Sequence, residues 1–283
     1  MAAVKTAAPD GTITLKITVP WRIVEAARGG VVTKLSKEVV VPGFRKGTAP
    51  QNIAETHLKK EVVQEEVLKE VLGKAYNDAV TVEKLTPIIT PRVHVDTFED
   101  GTDLVFSAEL CEAPTVTLGD YKKAVSDITA KSKIVVPDSA GSLQAGKEAE
   151  KPNVDQILTA VVENSTVEIP KVLYEQEANR LLSQTLDELK SLGLTLDQYL
   201  ASRNKTADDM RVEGEKKAKM DLSLEFVLRK IADTEKITVE KEDVDGALKE
   251  ITDEKQRNQL LQNPYFLASI IRQQKTLDYL TKL

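Results

Sequence analysis

One cysteine (Cys111) and two histidines (His57, His94) are all that this chain offers for thiolate or imidazole chemistry. That excludes a disulfide framework, and a Cys/His zinc site is not expected. Aromatics are scarce as well: five Phe, six Tyr and one Trp in 283 residues, so a core here has to be aliphatic. No apolar run approaches the roughly 20 residues that span a bilayer, and Met1–Asp10 has no apolar run of signal-peptide length. The expectation is a cytoplasmic protein with no membrane partner. Also missing are a Gly-rich phosphate loop, G-x-S-x-G, H-E-x-x-H and carboxylates clustered in apolar surroundings. His57, beside Lys59 and Lys60, reads as a surface-facing or satisfied histidine, His94 as solvent-facing in an alternating strand, and Cys111 as a small buried hydrophobe. No enzyme, cofactor or metal is expected.

What is present is 41% hydrophobic and 30% charged, a globular composition with length for two domains of ordinary size. The net charge of -6 is uneven. Residues 1–60 hold ten Lys/Arg against four Asp/Glu, while residues 61–283 hold 29 against 41. A basic end on an acidic body suits local contact with something anionic, not nucleic acid wrapped along the whole chain.

Thr12–Val19 alternates polar and β-branched apolar residues, the pattern of a half-buried strand that Pro20 ends. A helix is expected over residues 21–40, and a second over 59–80 with one wide apolar stripe. Two strands are expected over 88–95 and 104–110, joined through Glu99-Asp100-Gly101. Residues 137–152, rich in Ser, Gly, Ala and charge, read as linker, with a short edge strand expected at Ile134–Val136. Beyond it helices are expected from Pro170 to a stop at Gly193, from Leu196 to Ser202, and from a capping box at Thr206/Asp209 to about Asp233. Two more follow near 241–251 and 264–279, the last capped by Asn263.

The distinctive segment is Gly43-Phe44-Arg45-Lys46-Gly47, with Thr48 and Pro50 placed to start the next helix. Its glycines let a turn present Phe44, Arg45 and Lys46 together, to a partner with an apolar pocket and anionic groups. Equally, Phe44 can fold inward to anchor the loop. Gly43-Phe44-Arg45-Lys46-Gly47-x-x-Pro50, after an N-terminal strand and helix, resembles the ribosome-docking signature of bacterial trigger factors. Val167-Glu168-Ile169-Pro170 and Gly193-x-Thr195-x-x-x-Tyr199-Leu200 resemble that family's arm region.

The resemblance implies an α+β ribosome-binding domain, a small antiparallel sheet with helices, over residues 1–118. It implies an all-α, arm-bearing chaperone domain over 153–283, with 119–152 as a linker in place of the family's prolyl-isomerase domain. Gly43, Phe44, Arg45, Lys46 and Gly47 would then dock on the large ribosomal subunit near the tunnel exit, touching protein and ribosomal RNA. Unfolded or nascent polypeptides would be sheltered without ATP, and the resemblance admits a homodimer off the ribosome. The stretch from Thr115 to Asn153 is too short for an isomerase domain, which needs about a hundred residues, so isomerase activity is not expected. The rival reading is a ribosome-independent holdase or assembly factor on the same scaffold.

Overall fold

Burial alternates along Thr12–Val19 as the period-two pattern requires: Ile13, Leu15, Ile17 and Val19 are buried, and Lys16 is exposed. The computed structural model describes residues 2–37, 39, 44, 50, 53, 56–133, 154–250, 257 and 263–283. The chain divides into two units, Met1–Ala113 with Pro170–Leu173, and Pro114–Ile169 with Tyr174–Leu283.

In the first unit, strands β1 (Ala2–Ala7), β2 (Thr12–Val19), β3 (Arg92–Thr97) and β4 (Leu104–Cys111) form one antiparallel sheet in the order β1-β2-β4-β3. Register sets Leu15 opposite Ala108 and Ile17 opposite Phe106, so the inward side chains of the two central strands lie in facing rows. Helices α1 (Trp21–Ser36) and α2 (Lys60–Val82) cover that face. Val63, Val67, Val71, Ala75 and Ala79, each four residues after the last, give α2 its buried stripe. The core is aliphatic around Phe106, the unit's one aromatic buried below 9% among the described residues.

The two strands expected around Glu99–Gly101 form, but the first starts at Arg92, not Ile88. Pro87 and Pro91 bracket that stretch and have no N–H to donate to a ladder. Strand β1 went unread because an edge strand that is exposed at all but one position carries little apolar alternation. Helix α1 stops at Ser36, and the expected Ile134–Val136 strand and the Thr48 cap lie outside the described residues. Asp10 accepts hydrogen bonds from Thr12 N–H, the Thr12 hydroxyl and Lys171 N–H. Burial works against its charge, yet those bonds hold the carboxyl below the usual range.

The second unit opens with a two-stranded sheet, β5 (Val116–Leu118) against β6 (Ser165–Val167). Its helices are α3 (Tyr121–Lys133), α4 (Val154–Glu163), α5 (Lys171–Ser191, whose first turn belongs to the first unit), α6 (Leu196–Ser202), α7 (Ala207–Thr234), α8 (Lys241–Glu250) and α9 (Pro264–Thr281). The segment expected as linker therefore begins with a packed helix. Tyr121 and Val125 are buried on Ile157, Val161, Val227, Leu228, Ile231 and Leu280. Residues 134–152 of that segment, and Asn153 after it, lie outside the described residues. Gly119 fits where nothing larger could, since a Cβ there would stand 2.3 Å from the Asn164 carbonyl oxygen that its own N–H reaches at 2.8 Å.

The helix ends carry the expected chemistry. Thr206 and Asp209 exchange both capping-box bonds, Gly193 follows α5 with φ +70°, and the Asn263 side chain accepts from Phe266 N–H. Thr195 with Gln198 forms a second capping box at α6.

Glu235, just past α7, gathers three donors: Lys122 Nζ at 2.7 Å, Tyr121 OH at 2.8 Å and Tyr279 OH at 2.9 Å. The Lys122 ammonium, then the Tyr121 hydroxyl, against the penalty of burial and with Tyr279, bring its pKa down to about 2. The folded carboxylate is thus favoured above pH 4.5, and its stabilisation fades as pH falls from there towards 2. Glu235→Gln is expected to cost about 1–3 kcal/mol of stability near neutral pH. Thermal unfolding of the two proteins should converge as pH drops through that window.

Candidate functional site

Helices α1 and α2 run in the same direction. Lys34 near the end of α1 bonds Glu70 in the third turn of α2 at 2.9 Å, while Arg28 and Lys60, earlier in each helix, both reach Asp100. The end of α1 and the start of α2 therefore lie about the length of α1 apart, roughly 24 Å at 1.5 Å per residue. Phe44 lies between the two helices in sequence and is 41% exposed, outside the core cluster that Trp21, Leu35 and Leu58 join. Pro50 and Ile53 are exposed too, and Ile53 N–H bonds the Pro50 carbonyl at 3.0 Å. Of the five expected docking residues, Phe44 alone is described; Gly43, Arg45, Lys46 and Gly47 lie outside the described residues.

The residues weighed for catalysis do not come together. His57 is exposed, and the His94 side chain is 81% exposed, 3.9 Å from Asp96. Cys111 is fully buried, and burial, with the nearby Asp10 charge, pushes its thiol up to about 11, which keeps it an inert thiol at neutral pH. Among the described residues no three His, Cys, Asp or Glu side chains converge as a metal site, and no helix is long and apolar enough to cross a membrane.

One feature of the first unit gave no sign in the sequence. Between α1, the start of α2 and the turn after β3 lies a cleft of about 210 Å³. Val24, Val63 and Val67 floor it, Trp21, Leu58 and Phe98 wall it, and Arg28, Lys60 and Asp100 stand at its rim. Three distant segments contribute, so no local motif could announce it. The nearest signal is that the chain's one tryptophan opens α1.

The family model described as bacterial trigger factor protein matches residues 1–140, and the one for the trigger factor C-terminus matches residues 141–282. This chain belongs to the bacterial trigger factor family. The two matches abut, so the trigger factor parts follow one another with no isomerase-sized segment between them.

The trigger factor of Carboxydothermus hydrogenoformans is 24% identical over 422 aligned positions that take in 100% of this chain and 99% of that protein. The Staphylococcus epidermidis trigger factor is 36% identical over 108 residues, 38% of this chain. That match spans only a quarter of the staphylococcal protein's length. A solved trigger factor chaperone structure, described for promiscuous substrate recognition in folding and assembly, superposes with a TM-score of 0.65. It covers 100% of this chain and 99% of that one at 14% identity, a likeness of fold: a small antiparallel sheet with helices, then a helical C-terminal part.

Because Phe44 stands outside the core, Phe44→Ala should change unfolding free energy by no more than about 0.5 kcal/mol. Phe106→Ala, in the sheet core, should cost about 3–5 kcal/mol. Denaturant unfolding of the two variants beside the wild type checks both.

Proposed function

We propose that this chain is an ATP-independent chaperone that docks on the large ribosomal subunit near the tunnel exit and shelters unfolded or nascent chains. Residues 1–118 do the docking and residues 153–283 the sheltering, with the packed α3 helix between them. Gly43 and Gly47 shape the loop, Phe44 enters an apolar pocket on an exit-site protein, and Arg45 and Lys46 meet carboxylate or ribosomal RNA phosphate. The protein works in the cytoplasm, without a cofactor and without isomerase activity.

The observation that carries this reading is an exposed Phe44, followed in sequence by Arg45 and Lys46, at the basic end of an aromatic-poor chain. Sheltering needs no chemistry, only scattered apolar contacts that hold a client weakly. In support, Leu192, Val212, Met220, Tyr265, Phe266 and Ile270 of the second unit stand 44–88% exposed.

Co-sedimentation with ribosomes tests the docking. The wild type should pellet with them, and Phe44→Ala/Arg45→Ala/Lys46→Ala should weaken binding at least about tenfold, roughly 1.4 kcal/mol. Wild-type binding should also weaken as salt rises, since cations on phosphate release counterions. Equal co-sedimentation of the two proteins contradicts the assignment.

A further inference from the structure

The two edges of the first unit's sheet are finished differently. Strand β3 is guarded: Pro91 precedes it, Arg92 and Asp96 put charge along it, and its register breaks between Val95 and Thr97. Each of these devices discourages another strand from pairing there. Strand β1 pairs with β2 residue for residue from Ala2 to Ala7, with no bulge and no proline, and Lys5 is its single charge. The turn after it fixes which of its backbone groups face out. Ala8 N–H donates to the Thr12 carbonyl at 2.8 Å, across a three-residue turn closed by Gly11 at φ +84°. By alternation from there, Thr6, Val4 and Ala2 bond β2, while the N–H and C=O of Ala7, Lys5 and Ala3 point away from the sheet. Among the described residues nothing pairs with those outward groups.

We propose that the outer edge of β1 binds an extended, unfolded polypeptide segment, which adds to the four-stranded sheet as a further strand. The edge offers alternating donors and acceptors, and only a chain whose own backbone is free can answer them. The side chains beside it are short, and Val4, the largest apolar one, is 62% exposed. They impose little shape on an incoming strand, so affinity comes from the backbone and the sequence of the segment matters little. A second copy of this chain fits less well. Full overlap of two antiparallel β1 strands would set Ala2 opposite Ala7, an inward backbone group against an outward one, and no ladder forms. One shifted register sets Lys5 against its counterpart, like charge on like. An unfolded segment slides to whichever register pairs. The site rests on the client-sheltering half of the function above, and adds a backbone-reading edge in the sheet unit to the apolar surface of the helical unit.

The isotope-labelled full chain is titrated with a short acetylated and amidated peptide of alternating threonine and valine, ended by one lysine and one glutamate. Backbone amides are followed by NMR. Those of Ala3, Lys5 and Ala7 should shift saturably, and those of Val4 and Thr6 less, because theirs already bond β2. Proline at position 5 keeps every β1–β2 bond and removes one outward N–H, so Lys5→Pro should fold. It should bind at least about tenfold more weakly. Lys5→Ala retains that N–H and should bind within about threefold of the wild type. A peptide N-methylated at two adjacent central residues, which blocks both of its edges, should lose at least as much as Lys5→Pro does.

Absence of saturable shifts at Ala3, Lys5 and Ala7 overturns the proposal. So does undiminished affinity for the N-methylated peptide, an arm that needs no variant to fold. Wild-type affinity in Lys5→Pro, or an equal loss in Lys5→Ala, overturns it as well. If the same three amides shift with protein concentration alone and the peptide does not compete, the edge belongs to a second copy and the client assignment falls. The titration contains no ribosome and no aggregating client, so its failure leaves docking, and sheltering by the helical unit, standing.

Discussion

The first unit is governed by one geometric constraint: α1 and α2 lie on the sheet in the same direction. An antiparallel pair would need only a tight turn, whereas a parallel pair makes the joining chain return over the length of the first helix. The Lys34–Glu70 bond and the Asp100 carboxylate shared by Arg28 and Lys60 mark this arrangement, although exposed pairs of this kind add little energy by themselves. What holds it is burial, with Val24, Val31 and Val32 of α1 and the four-residue stripe of α2 packed on the inward rows of β2 and β4. Phe44, between the two helices in sequence, stands clear of that core, and the paired helix starts leave the cleft open between Trp21 and Phe98. Both features of interest in this unit follow from one packing choice.

The second unit keeps its order by different means. Its core is a modest aliphatic cluster around Ile157, Val161 and Ile231, and polar clamps fix the connections around it. Glu235 gathers Lys122, Tyr121 and Tyr279, and so ties α3 and α9 to the end of α7. Arg272 donates to the Ile237 carbonyl and to Asp233, while Lys275 holds Asp243 and the Thr238 carbonyl, which secures the turn leading into α8. Such bonds fix the connections without using up apolar surface, and apolar side chains along α7 and α9 remain exposed. The client capture proposed above, without ATP, needs surface of that kind.

Long, strongly periodic segments were legible in the sequence, because tertiary packing there only confirms the local pattern. Strand β2, the stripe of α2, the Gly193 stop and the Thr206/Asp209 capping box all form where their residues predict. The short helix Leu196–Ser202 was legible too, but three-residue strands and features shared between distant segments were not. Three residues in each of β5 and β6 are too few to show a period, and they pair only because Val116 and Val167 meet across fifty residues of chain. Helix α3 rests on Tyr121 and Val125 alone among its nearly fully buried apolar residues, too weak a stripe beside Lys-rich neighbours. Phe44 was conspicuous by its glycine and cation neighbours, but its exposure came from packing of helices that its own loop does not encode. The cleft draws on three distant segments and only appears once they are folded together.

Site-specific photo-crosslinking from position 44 addresses docking most directly. With a photoreactive phenylalanine analogue in place of Phe44, illumination of the full chain on ribosomes should yield a covalent adduct with a protein of the large subunit at the tunnel exit. Adducts confined to small-subunit proteins, or none from a protein that still co-sediments with ribosomes, would contradict the account.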